Sequence, residues 1–190
     1  DFLDRFSKTV VDLKVGDGLD AATEIGAMVD AHHYERVVQY LQIALDEGAR
    51  IYAQGTVPDD PRLRGGYWVA PTILVDVPED STAVQEETFG PTVTVGKVGT
   101  VEEAIARTNA TRYALGSTVF SKARGMEIAG KIRSGMTAVN GVITFAAIPS
   151  LPFGGIGDSG FGRIHGPEGL KEFTYAKAIA RQRFKPLLAL

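Results

Sequence analysis

TVTVGKVGTVEEAIARTNATRYALGSTVFSKARGMEIAGKIRSGMTAVN, residues Thr92 to Asn140, changes its hydrophobic period several times, and those changes decide the fold. Thr92 to Val98 alternates as a strand does. Thr100 and Glu103 then stand at capping-box spacing ahead of Val101, Ala104 and Ile105, which predicts a helix reaching about Asn109. Ser117 to Phe120 reads as a strand, Ser121 caps a helix to about Arg133 closed by Gly135, and Met136 to Asn140 reads as a strand again. Strands alternating with helices of this length build βαβ units, whose right-handed crossovers give a parallel sheet. The expected fold class is α/β, an open, mostly parallel sheet with helices on both faces.

Upstream, an apolar helical pattern (Phe2, Leu3, Phe6, Val10, Leu13) is running from the first residues and stops at Gly16 and Gly18. A second helix is predicted from Asp30 to about Glu47, with Tyr34, Val37, Val38, Leu41, Ala44 and Leu45 on one face and Gly48 as its stop. Strands follow at Arg50 to Ala53 and Tyr67 to Val75, separated by the Pro- and Gly-punctuated loop 55–66, and Pro71 places part of the second run at an edge or in a bend. Downstream, residues 141–166 hold little periodicity and many glycines, a long loop of the kind that serves a site. A short helix (Pro167 to Phe173) leads into an alternating strand, Tyr175 to Phe184.

With 190 residues, 44% hydrophobic, the composition is that of an ordinary globular protein. Twenty basic against twenty-three acidic residues, net charge −3, leave no electrostatic footprint for nucleic acid. No run approaches the eighteen apolar residues or so of a membrane span, and the first turn lacks a signal peptide's layout, so a cytoplasmic protein is expected, with no membrane partner. Cysteine is absent, which excludes disulfides, thiolate metal sites and cysteine catalysis within these residues. Asp1 reads either as the start of a piece of a larger protein or as a native product with its start removed.

Among chemistry-bearing segments, 155–160 fits G-x-G-x-x-G, but Pro149, Pro152 and Phe153 stand where a buried strand should end, and no long apolar helix follows. The glycines are better read as sharp turns beside a ligand or a neighbouring loop. His32 and His33 point roughly 100° apart on a helix and cannot chelate one ion; with His165 far away in sequence, no metal site is expected. Glu86-Glu87-Thr88-Phe89-Gly90-Pro91 says more, because it sets two carboxylates and an aromatic ring at the end of a strand, where open α/β sheets bind ligands. The bland alternative is a solvated acidic loop with Phe89 packed inward.

Taken together, Glu86 to Pro91, Asn109 to Leu115, Gly135 to Asn140, Pro152 to Gly155 and Ser159 to Arg163 resemble, in order and spacing, the successive C-terminal motifs of the aldehyde dehydrogenase superfamily. The resemblance implies a parent enzyme that oxidises a small aldehyde to a carboxylic acid with NAD or NADP through a cysteine thioester hydrolysed by a glutamate-activated water. It also implies that the cysteine, the base glutamate, the oxyanion asparagine and the cofactor domain lie before Asp1, so the chain alone is expected to be inactive. By motif matching, Glu87 would accept hydrogen bonds from the nicotinamide-ribose hydroxyls and Phe89 would pack beside the nicotinamide. His33 and Arg36 would reach the cofactor ribose from the start of their helix.

Phe153 would wall the aldehyde tunnel, with Phe145 in the variable loop that shapes it. Val142, Ile143, Phe145, Ile148 and Leu151 point to an aliphatic or aromatic substrate. Tyr175 to Phe184 would pair across subunits of a homo-oligomer. The expected domains are a partial catalytic domain over 1–174 and an oligomerisation strand and tail over 175–190. The rival reading is a cysteine-free, non-catalytic relative that acts as a binding or assembly module.

Overall fold

The structure, a computed structural model, describes residues 1–183. They form two compact units that divide after Arg107. In the first, α1 (Phe2–Asp12) and α2 (Ala31–Asp46) precede β1 (Arg50–Gln54), β2 (Thr72–Val75), α3 (Thr82–Gln85), β3 (Thr92–Val95) and α4 (Val101–Thr108). The strands lie in the order β1-β2-β3; β2 and β3 are parallel, while β1 runs antiparallel to β2 as an edge strand with a register shift between Ile51 and Ala53.

All four residues of β2 are buried, and the two faces of the sheet explain why. Ile73 and Val75 pack with Val10 under α1, whereas Leu74 packs with Ala44 and Ala49 under α2. Successive side chains leave a strand on opposite faces, so a strand covered on both sides reads as a continuous apolar run. α4 begins as its sequence predicts: Thr100 Oγ1 accepts from Glu103 N at 3.0 Å. The Glu103 carboxylate returns to Gly99 N at 2.8 Å, one residue earlier than the usual capping box reaches.

In the second unit, β4 (Gly116–Val119), α5 (Gly125–Ala129) and β5 (Met136–Val139) form a βαβ unit with parallel strands. Single helical turns at Thr144–Ala147 and Gly157–Ser159 interrupt the long loop, and α6 (Gly166–Lys171) follows it.

Several predicted elements contract. The strand expected from Tyr67 starts only at Thr72, because Pro71 has no N–H to enter the ladder. The strand expected to reach Val98 ends at Val95, since Arg107 takes the Lys97 carbonyl at 3.0 Å. The helix expected over 121–133 is confined to Gly125–Ala129. Ser121 Oγ accepts from Arg124 N at 3.1 Å and closes a turn instead of capping the helix. Tyr175 to Phe184, expected as a strand, forms none over 175–183, and Phe184 lies outside the described residues. A strand is defined by its ladder, and no ladder among the described residues includes 175–183; Tyr175 is fully exposed.

Candidate functional site

Asp30 starts the site by capping α2, its carboxylate accepting from His33 N at 2.7 Å. Helical spacing then puts His33, Arg36 and Val37 on one face, toward the loop between α3 and β3. His33 Nε2 lies 2.7 Å from Phe89 O, and Arg36 Nη2 donates to Glu87 O at 2.8 Å. Val37, fully buried, fills the space beside Gly90, where a Cβ would overlap its methyl groups.

These contacts hold a loop in an uncommon conformation. Phe89 has φ 54°, the left-handed region that disfavours a residue with a bulky side chain, and the residue is 70% exposed. The bland expectation of an inward-packed Phe89 therefore fails. Glu87 is exposed as well. A cleft of about 300 Å³ opens beside the loop, lined among others by Tyr40, Leu41, Glu86, Thr88 and Phe89. The four residues singled out here, His33, Arg36, Glu87 and Phe89, thus come together. The two on α2 bond the loop's carbonyl oxygens, a contact that their sequence positions do not announce.

The second unit carries a separate cavity of about 400 Å³, lined by Leu115, Met136, Ile143, Phe145 and Phe153 together with Gly116, Ser117 and Thr118. Phe145 and Phe153 face each other at 6.4 Å between ring centroids, tilted by 52°. Of the five side chains read as an apolar wall, Ile143 and Phe145 line this cavity, whereas Val142 is 68% exposed.

The glycine motifs around Phe153 have a steric cause. A Cβ at Gly135 would overlap the backbone of Gly154, and one at Gly154 would overlap Gly162 O. This close packing lets Phe153 and Ile164 exchange backbone hydrogen bonds of 2.7 and 2.9 Å. The G-x-G-x-x-G stretch is a single helical turn, Gly157–Ser159, and not a strand-to-helix junction. His165, which sequence reasoning left aside, sits at φ 63° with its ring 6.1 Å from that of Phe153. A positive φ at histidine leaves no mark in the sequence that could have revealed it.

A glutamate and an aromatic ring fixed on one loop, and a Gly-packed aromatic cavity after the last strand, are placed by the motifs that the sequence shares with one family. The sequence model of the Aldehyde dehydrogenase family matches residues 1–179. The chain belongs to this family.

Aldehyde dehydrogenase citD of Monascus ruber is 40% identical over 177 residues, 92% of this chain and 35% of that protein. Betaine aldehyde dehydrogenase of Bacillus subtilis is 37% identical over 95% of this chain and 37% of its own length. Among solved structures, a point mutant of betaine aldehyde dehydrogenase from Staphylococcus aureus in complex with NAD+ superposes with a TM-score of 0.88 at 33% identity, covering 98% of this chain and 38% of that one. The chain therefore spans a little over a third of the length of these aldehyde dehydrogenases.

Proposed function

We propose that this chain supplies the nicotinamide-ribose side of the cofactor site and one wall of the aldehyde pocket in an NAD(P)-dependent aldehyde dehydrogenase. That enzyme oxidises an aldehyde to a carboxylic acid through a cysteine thioester. The observation that carries the reading is the loop of Glu87 and Phe89, held by His33 and Arg36 with both of its recognition side chains exposed.

The residues fit the group. A carboxylate can accept from two vicinal hydroxyls at once, and an exposed aromatic face suits a flat heterocycle. When bound, the nicotinamide supplies the acceptor for hydride. Glu87 orients the ribose and Phe89 covers the ring. His33 and Arg36 act on the loop's backbone and set where both side chains stand.

Among the described residues no charged side chain lines the cavity between Phe145 and Phe153, which favours an uncharged aliphatic or aromatic aldehyde. The 190 residues hold no thiol, so the nucleophile comes from residues other than these. Tyr175 to Phe184 is the segment that pairs with a second copy of the enzyme. The missing thiol also favours a second reading, a non-catalytic relative that serves in binding or assembly.

Turnover separates these readings from independent catalysis. The purified chain, given aldehyde and NAD+ or an activated ester, is expected to show no steady-state rate. A rate that persists through purification and thiol-blocking reagents would overturn the assignment of the nucleophile.

A further inference from the structure

We infer that Glu47, at the far end of α2, is a positioning residue for Glu87 and Phe89. It anchors the start of α3, just as His33 and Arg36 hold the loop that follows. The inference takes those two side chains as the cofactor-facing pair from the reading above, whereas the grip itself rests on geometry alone.

Glu47 is the C-cap of α2, where a carboxylate has the wrong sign for that helix's own dipole. Its two oxygens instead accept from Thr82 N at 2.7 Å and Thr82 Oγ1 at 2.6 Å. Thr82 opens α3, and the residue placed to cap that helix does not do so. Ser81 makes no side-chain cap bond, is only 4% exposed, and its hydroxyl has no hydrogen-bond partner among the described residues. The cap comes from α2, 35 residues away in sequence.

α3 ends at Gln85 and runs directly into Glu86 and Glu87. A helix of 16 residues, roughly 24 Å long, and its C-cap therefore grip segment 82–90 at both ends: Glu47 on Thr82, Arg36 and His33 on the carbonyls of 87 and 89. Releasing the Thr82 end loosens the start of α3 while leaving the loop's own two bonds, and that of Gln85 Nε2 to Glu79 O at 2.7 Å, intact.

Native-state amide exchange and amide chemical shifts of the 190-residue chain test the role in Glu47→Ala, with Glu47→Gln as the conservative variant. Glu47→Ala is expected to lower protection of the Val84, Gln85 and Glu86 amides at least about tenfold, the loss of a charge-assisted bond. It is also expected to move the Phe89 and Gly90 amide signals while β2 amides keep their protection. Glu47→Gln, which retains one acceptor, restores most of both.

Equal loss in α3 and β2 would mark Glu47 as a stabiliser of the whole unit and overturn the inference, as would unmoved Phe89 and Gly90 signals. If Glu47→Ala does not fold, Thr82→Val, which removes only the hydroxyl donor, is read by the same two criteria. None of these signals depends on cofactor, so their failure is distinct from failure of the dinucleotide reading.

Discussion

Phe89 carries the tension between stability and recognition. Left-handed backbone disfavours an L-residue by about 1–2 kcal/mol, and glycine gives back about 0.5–1 kcal/mol of that through its freer unfolded chain. As a residue 70% exposed, Phe89 loses little packing when truncated. Phe89→Gly is thus expected to unfold at slightly higher urea, a gain of up to about 1 kcal/mol, while weakening NAD+ binding. A loss of stability would show that the ring packs in solution. The candidate residues were legible because their types and order resemble a family pattern. That His33 and Arg36 bond the loop was not, because they meet carbonyl oxygens that every residue possesses and no sequence distinguishes.

At the scale of elements, the alternation of strands and helices was readable, and their lengths were not. Pro71, whose missing donor the sequence does show, shortens one strand, whereas Arg107 and Ser121 each cut an element short through a contact that only the folded chain defines. The glycines divide by what they meet. Gly90→Ala pushes on the Val37 side chain, which is fully buried, and is expected to destabilise by about 1–3 kcal/mol. Combined with Val37→Ala, the loss should fall short of the sum of the two single losses. Gly135→Ala meets the backbone of Gly154, which cannot shift, so urea denaturation followed by β5 amides should report a larger loss than Gly90→Ala produces on β2 amides. The reverse order would contradict the close packing described around Phe153.

α5, only five residues long, is braced by Glu127. Hydrogen bonds from Arg124 and then Lys131 lower its carboxyl from an ordinary 4.5 to about 2. A depressed folded value stabilises above the ordinary one, so this contribution is expected to be full above about pH 4.5 and to fade as pH falls toward 2. It should be small and salt-sensitive, since the group is exposed. Carboxyl NMR titration should place Glu127 well below 4.5; an ordinary midpoint would mean that the two ion pairs do not persist in solution.

For the whole molecule, the chain covers 35–38% of the aldehyde dehydrogenases compared above, and the residues proposed for cofactor recognition, Glu87 and Phe89, lie on exposed surface. In the proposed role it supplies contacts to only one end of a dinucleotide and should bind NAD+ weakly, because association and ordering costs are offset by few interactions. The most direct measurement is an NMR titration of the 190-residue chain with NAD+. The expected result is a dissociation constant of about 1 mM or weaker, with shifts centred on Glu87, Phe89 and the first turns of α2 and reduced by Glu87→Gln. Micromolar binding, or shifts centred on residues 155–160 instead, would contradict the account.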